Sequence, residues 1–550
     1  MFKNAVVFLL LCTLAPLSTV AQAIDKAKAI AGAERAWEKT VKAYVAPGPG
    51  CAAAVSLNGE TIFEKAFGMA EMEHNIPNTP QTIFESGSVA KQFTAAAIVL
   101  LAQDGKLSID DPVKKYIPEL PDYDKPITIR HILNHTSGIR DWGSVMQLTG
   151  VGRGDRIITN DIALDVIVRQ KALDFTPGAE YSYSNSGYQL AAIIVERVSK
   201  QKFGAFVEER LFKPLGMTKS SWRDDYQRLV AGRAQAYSRN GDKEPWRLNM
   251  PFMNVVGNGG MLTTVGDWMK WNAMLDSRVL GAPLVEALET RGILNDGRKI
   301  TYALGLDVTK YKGLNEVSHS GGTAGYQTFL SRYPDKKLSV AALCNGFPPA
   351  AGDLVHEIVD EVLGPLPDDP KPTDFAQVPE DQLKKFVGTW RNAITQNANR
   401  IAIDKGELKI NGGPLKPRSD GSFLLGDNRR VTFTLDKDGK PTAAEINNPD
   451  GSVTRLTAVS EWVPTASELA GFAGDWYSDE AGATFTFTVD ADKAFVVQRP
   501  TTRIPLRPVY KDAFAFAGGT LWFTRDASGK VDKLHVGASR MRDMPFARVK

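Results

Sequence analysis

The sequence runs to 550 residues, longer than one ordinary domain, and three or four domains are expected. Its 43% hydrophobic and 23% charged residues are those of a soluble globular protein. A net charge of only +3, with no dense Lys/Arg run interleaved with aromatics, argues against a nucleic-acid partner, and three cysteines are too few for a disulfide-rich framework.

The first residues read as a secretory signal peptide: Lys3 gives a positive start, Ala5 to Leu14 an apolar stretch, and Ala21-Gln22-Ala23 a cleavage site after Ala23. The mature protein is therefore expected to be periplasmic or secreted. No later apolar run reaches about 18 residues, so no membrane span is expected. A helix follows over 24–46, with Ala29, Ala33, Trp37, Val41 and Tyr44 at helical spacing, and Pro47-Gly48-Pro49-Gly50 ends it. Cys51 to Leu57 and Thr61 to Gly68 flank Asn58-Gly59, the sign of a β-hairpin.

Phe84-Glu85-Ser86-Gly87-Ser88-Val89-Ala90-Lys91 comes next, leading into an Ala- and Leu-rich run that favours a helix. The three-residue spacing places Ser88 and Lys91 on one helical face. Ser88 would open the helix, where free N–H groups favour developing negative charge. Lys91, one turn in, can have its pKa lowered by burial. A weak nucleophile beside a tunable amine is what acyl transfer needs, although a lone Ser-x-x-Lys is a weak signal.

Residues 127–300 read mostly as helices and loops. Thr128 caps a helix to Asn134, His135 to Gly138 forms its end, and helical runs recur near 160–171, 187–200, 203–211 and 266–276. Strands return at 315–319, 326–333 and 337–344, followed by an amphipathic helix over 351–364. Strands at both ends of a helical insertion suggest an antiparallel sheet flanked by helices and facing a helical subdomain, with a site in the cleft between them. Pro365 to Pro372 is a Pro/Asp-rich linker. Beyond it Leu383 to Trp390 is echoed by Leu469 to Trp476, offset by 86 residues, and each copy continues into alternating strands. Two small all-β antiparallel eight-stranded barrels are expected in preference to one sandwich. The predicted units are thus a signal peptide (1–23), an α/β catalytic domain (24–364), a linker (365–381) and two barrels (382–460 and 461–550).

Four further stretches strengthen the serine signal: Tyr183-Ser184-Asn185, His319-Ser320-Gly321-Gly322, the Gly257 to Thr264 loop, and His131 to Gly138. In that order, Ser88-Val89-Ala90-Lys91, Tyr183-Ser184-Asn185 and His319-Ser320-Gly321 resemble the three motifs of the penicillin-recognising serine hydrolases. The Tyr-x-Asn form is similar to the class C β-lactamase branch, which includes D-aminopeptidases, D-alanyl-D-alanine carboxypeptidases and esterases. A catalytic domain with two C-terminal barrels is similar to the D-aminopeptidase layout.

The resemblance implies Ser88 as nucleophile of an acyl-enzyme, Lys91 and Tyr183 sharing the proton transfers, Asn185 orienting Lys91 or the substrate amide, and His319 at the third motif. It also implies an oxyanion hole of the Ser88 and Gly322 backbone N–H groups, with Gly321 and Asn258 as substrate-binding residues; Asn258 is equally read as loop geometry. A lysine beside Tyr183 is expected to favour its phenolate. Lysine is replaced by His319 in the third motif, which weakens the hold on a substrate carboxylate and favours an N-terminal D-residue amide, small peptide or ester. The alternatives are an esterase, a β-lactamase or carboxypeptidase on the same site, and a non-catalytic scaffold. In the D-aminopeptidase members a loop of the last barrel reaches the site; the sequence does not say which residue does so here.

No metal and no cofactor is expected, since His74, His356 and His535 lack ligand spacing. His131 and His135 read as helix-end and turn residues, and Trp142, Trp268 and Trp271 as packing. A homodimer is compatible with the sequence. The resemblance also makes the strands of Cys51 and Cys344 antiparallel neighbours. Free buried thiols remain the preferred reading, because a direct cross-strand bridge needs unusual geometry.

Overall fold

Asn58 and Gly59 both adopt positive φ, 52° and 80°, the turn that an Asn-Gly pair favours. They join β1 (Cys51–Leu57) to β2 (Glu60–Phe67). The computed structural model describes residues 24–549 apart from 45–47, 152–155, 242, 349, 365, 367–373, 427, 450, 491–492, 499–501 and 539. The predicted signal peptide and most of the Pro/Asp-rich stretch lie outside these residues.

Four more strands complete an antiparallel sheet: β3 (Asp307–Tyr311), β4 (Leu314–Thr323), β5 (Tyr326–Tyr333) and β6 (Leu338–Cys344). Their order across the sheet is β3-β4-β5-β6-β1-β2. The sheet thereby unites the start of this domain with its end. β3 is absent from the sequence expectation: a short edge strand with Asp307 and Thr309 in it carries little apolar signal.

The helices that frame the sheet are α1 (Lys26–Ala43), α2 (Lys91–Gln103), α3 (Asn185–Ser199), α4 (Val265–Ser277) and α5 (Ala351–Leu363). β1 and β6 are buried along their whole length, because helices cover both faces. Cys51, Ala53, Val55, Val340, Ala342 and Cys344 pack with α1 and α5 on one face. Ala52, Ala54, Ala341 and Leu343 join the larger core, with α2 and α4, on the other. Small residues let the helices come close: a Cβ on Gly32 of α1 would lie 2.3 Å from the Glu361 carbonyl oxygen of α5. No described helix is long and apolar enough to cross a membrane.

Register overturns the expectation of two free thiols. Cys51 stands directly opposite Cys344, their Cα atoms 4.0 Å apart, and the two form a disulfide. Pairing at that spacing brings the two sulfurs together without a change of backbone course.

Beyond residue 374, two closed barrels of eight antiparallel strands follow, from Gly388–Asn392 to Val453–Val459 and from Gly474–Ser478 to Met541–Arg548. The internal repeat has a common physical basis. Trp390 Nε1 donates to the Phe386 carbonyl and Trp476 Nε1 to the Phe472 carbonyl, each at 3.0 Å. Each indole is buried in its barrel and packs edge-on against an aromatic ring, Phe433 or Phe523. A buried ring of this size contributes on the order of 3 kcal/mol or more.

The barrels attach differently. The first has its own core, whereas the apolar interior of the second is continuous with that of the sheet-and-helix domain. At that junction the buried Arg140 guanidinium pairs with Asp174 (3.3 Å) of its own domain and Glu480 (3.0 Å) of the second barrel. Glu480 also accepts from the Lys171 backbone N–H, and Arg542 donates to Glu180.

The disulfide joins residues 293 apart in sequence, so removing it should destabilise the sheet-and-helix domain. A Cys51→Ala, Cys344→Ala double variant should lose about 2–4 kcal/mol in denaturant unfolding, with the reduced wild type matching it. Thiol titration of the unreduced, denatured wild type should find neither Cys51 nor Cys344 free.

Candidate active site

Gly87 takes φ +54° and starts a 3-10 turn, Gly87–Ala90, that runs directly into α2. A Cβ on Gly87 would lie 2.5 Å from the Gly322 nitrogen of β4. Only glycine lets the Ser88 turn sit flush against that strand. Gly321 is required for the same closure: its Cβ would meet the Ser86 carbonyl oxygen at 2.1 Å and Thr328 Oγ1 at 2.2 Å. This revises the expectation for Gly321, which packs the turn against the sheet and does not line the cleft. Gly322 does line it and faces open space.

The cleft has a volume of about 510 Å³. Ser88, Tyr183, Asn185, Asn258 and His319 all border it. Lys91 lies fully buried beneath. Its Nζ is 3.0 Å from Ser88 Oγ, 2.9 Å from Asn185 Oδ1 and 2.7 Å from the Asn258 carbonyl oxygen. Burial holds the Lys91 pKa well below that of an ordinary lysine; the Asp141 carboxylate opposes this and the Arg540 guanidinium reinforces it. A neutral amine has two N–H bonds and one lone pair. Two of its three neighbours, the Asn185 and Asn258 oxygens, can only accept, which leaves the lone pair for the Ser88 hydroxyl. The arrangement can therefore take the serine proton.

Tyr183 lies close enough to Ser88 for the serine hydroxyl to act on its phenol. Burial raises its phenol above the usual tyrosine value, and the Ser88 hydroxyl and the Arg540 charge only partly counter this. The expectation that Lys91 would favour a phenolate is revised: the same desolvation that neutralises the amine keeps the phenol protonated.

His319, expected among the catalytic groups, borders the cleft in its neutral form. Its Nδ1 lies 2.6 Å from the Ser320 carbonyl oxygen, so it must carry the hydrogen, and Nε2 accepts from the Tyr302 hydroxyl at 2.9 Å. Burial and the nearby Lys91 push its pKa down to about 3. With both nitrogens occupied, the ring is a neutral wall of the cleft. Asn258 serves through its main chain on Lys91 and borders the cleft, so both of its expected uses coexist.

Several residues that the motifs do not mark complete the site. Asp141 caps the helix Trp142–Gln147 and accepts from the Asn185 backbone N–H at 2.7 Å, which fixes the start of α3. His135, a turn residue at φ +59°, accepts from the Ser184 N–H and packs its ring 4.2 Å from that of Tyr183. Trp142 borders the cleft but is almost fully buried, while Trp268 and Trp271 belong to the core. Arg540, from the turn between the last two strands of the second barrel, places its guanidinium 4.7 Å from the Tyr183 ring centroid. Its carbonyl accepts from the Asp141 N–H at 3.0 Å. Asp307 of β3 also borders the cleft. Sequence spacing held no signal for Arg540 or Asp307, because only the folded chain brings them to the Ser88 turn.

One layer below, Glu85 is fully buried and accepts from Arg223 Nε and Nη2 at 2.8 and 2.9 Å and from Arg233 Nη2 at 3.2 Å. This triad anchors the strand that leads into Ser88. Among the described residues no group of three His, Cys, Asp or Glu side chains could hold a metal ion.

Comparison with known proteins agrees with this geometry. The profile of the family described as Beta-lactamase matches residues 37–363. A D-aminopeptidase of Gluconobacter oxydans is 26% identical over 526 residues, covering 92% of this chain and 96% of that protein. Penicillin-binding protein 4* of Bacillus subtilis is 27% identical over 413 residues, covering 69% of this chain and 89% of that protein. The octameric penicillin-binding protein homologue of Pyrococcus abyssi superposes with a TM-score of 0.56 at 24% identity, covering 78% of this chain and 99% of that one, a likeness of fold.

Two outcomes follow from the site. Glu85→Ala leaves two guanidinium groups buried without their counter-charge and should cost about 3–5 kcal/mol in denaturant unfolding. Labelling of Ser88 by a fluorophosphonate should rise with pH as Lys91 loses its proton, with a midpoint well below the ordinary lysine value. Arg540→Met removes a charge that lowers the Lys91 pKa, so the midpoint should move to higher pH; a shift to lower pH would contradict the geometry.

Proposed function

Since the chain belongs to the beta-lactamase family, whose fold is that of a serine hydrolase, we propose that it hydrolyses amide bonds through a Ser88 acyl-enzyme, as an aminopeptidase or amidase for N-terminal D-residues or small peptides. The observation that carries this reading is the buried Lys91 amine held between Ser88 Oγ and two oxygens that can only accept.

In this mechanism Ser88 Oγ attacks the substrate carbonyl carbon while its proton passes to Lys91 Nζ. Ser88 and Gly322 supply the backbone N–H groups that receive the oxyanion, and each such donor is worth about 2.7–4 kcal/mol in comparable sites. Tyr183 passes a proton to the departing amine and is reprotonated from Lys91. Water then attacks the acyl-enzyme, its proton passes through the same pair to Ser88 Oγ, and the free acid leaves. Asn185 holds Lys91 in line, and Asp141 is a positioning residue for Asn185.

The amide preference is supported by the full-length likeness to D-aminopeptidases and by the neutral His319 at the third motif, which offers no cation to a substrate carboxylate. The disulfide is of the kind that persists in an oxidising compartment, which supports a periplasmic or secreted location.

The test is hydrolysis of D-alanine p-nitroanilide, a short-chain p-nitrophenyl ester and a chromogenic cephalosporin by the wild type and Ser88→Ala. Release from the anilide, reduced about 1,000-fold or more in the variant, is the expected result. Release from the ester alone would make the protein an esterase. Cephalosporin turnover would restore the β-lactamase reading. No turnover, with no mass added at Ser88 by a fluorophosphonate, would leave a scaffold.

A further inference from the structure

Asp307 borders the same cleft as Ser88, Tyr183 and His319, yet the mechanism above does not use it. It opens β3, directly across from Ser318 and one residue from His319 on the neighbouring strand. Among the described residues its carboxylate makes no ion pair, and its one hydrogen bond is a long one, 3.5 Å from Thr301 Oγ1. The charge closest in effect is another carboxylate, Glu316. Burial, helped by Glu316, pushes its pKa up to about 6. It stands near enough to Tyr183 and Tyr302 for its charge to raise both phenols.

A half-buried carboxylate at a cleft wall with no cation beside it is costly, and that cost is relieved by an opposite charge brought from outside. The surroundings show which side of the cleft can receive it. The third motif has no lysine here, and His319 is neutral. The cleft-bordering cations lie elsewhere: Arg540 over Tyr183, and Arg223 held by Glu85. Among the described residues, those of β3 and β4 that border the cleft thus include a carboxylate and no cation, the reverse of a carboxylate-binding site.

We propose that Asp307 receives the positively charged ammonium of the substrate, and so selects amides and peptides with a free amino group. This rests on the hydrolase reading above. An ammonium offers three N–H donors, and a carboxylate facing it accepts charge-assisted hydrogen bonds that a neutral amide cannot match. The same chemistry would accept an α-amino group or the side-chain amine of a lysine-like residue, and the substrates below separate the two.

The experiment measures kcat/KM of the wild type, Asp307→Asn and Asp307→Glu on four compounds: D-alanine p-nitroanilide, its N-acetyl derivative, an N-acetylated D-lysine p-nitroanilide, and p-nitrophenyl acetate. The wild type should prefer a free-amine anilide over N-acetyl-D-alanine p-nitroanilide by about 10- to 100-fold, the worth of a charged hydrogen bond. Preference for D-alanine p-nitroanilide assigns the α-ammonium, and preference for the N-acetylated D-lysine compound assigns the side-chain amine. In Asp307→Asn the preference should collapse to a few-fold, and Asp307→Glu should keep part of it. Equal wild-type rates on free and acetylated anilides would overturn the assignment even if Asp307→Asn does not fold, as would a preference that survives in a folded Asp307→Asn. Ester turnover and Ser88 labelling without any amine preference would remove Asp307's role and leave the hydrolase standing. An unreactive Ser88 would remove the hydrolase and the assignment together.

Discussion

The site depends on keeping one amine dry. Lys91 is fully buried, and an ammonium there would be expensive unless every N–H found a strong partner. Its three neighbours are arranged so that the neutral form fits: two fixed acceptors and one hydroxyl that can donate. Each neighbour is itself held by a different part of the fold. Ser88 sits on the turn that glycine at 87 allows, Asn185 is fixed by Asp141, and the Asn258 carbonyl comes from a loop wedged between α2 and α3. In that loop Gly257 has φ +99°, and a Cβ there would lie 2.5 Å from that of Ala192. The chemistry is thus a property of how tightly three elements close around one nitrogen.

The same desolvation explains the other ionisable groups of the cleft. It holds Tyr183 as a phenol, His319 and His135 as neutral imidazoles, and raises the Asp307 carboxyl. Charge is reintroduced only at chosen places. Arg540 arrives from the second barrel, whose docking is secured by the buried Arg140 between Asp174 and Glu480. An uncompensated guanidinium at that junction would be strongly unfavourable, so the carboxylate of Glu480 and the docked position of the barrel require each other.

Local grammar made much of this legible from the sequence. Ser88 and Lys91 needed only a turn and a helix to come together, and Tyr183 and Asn185 sit at the entry to α3. The Asn58-Gly59 hairpin and the duplicated Leu-to-Trp segments were also readable, because a turn type and an indole that bonds a carbonyl four residues back are set by neighbouring residues. What was missed depends on distance in the fold. The Cys51–Cys344 pair follows from strand register, and the role of Gly321 from a carbonyl 2.1 Å from where its Cβ would stand. Asp307 lies on a short, half-polar edge strand. Arg540 carries no motif and reaches the site from the second barrel, more than 350 residues along the chain from Tyr183. Phenolate character at Tyr183 was misjudged because sequence shows the neighbouring charge and hides the burial that outweighs it.

The position of Arg540 has a consequence for how such a protein changes over generations. Ser88, Lys91, Tyr183 and Asn185 lie within the sheet-and-helix domain. The residue that overhangs them lies on a turn between two barrel strands, where side chains are exchanged at little cost to stability. A substitution at 540 therefore acts on the Lys91 amine and the Tyr183 phenol from outside the sheet-and-helix domain, without altering the side chains that pack around them there. A lineage can thus retune the protonation of Lys91 by varying one hairpin tip, with Ser88 and Lys91 themselves kept in place.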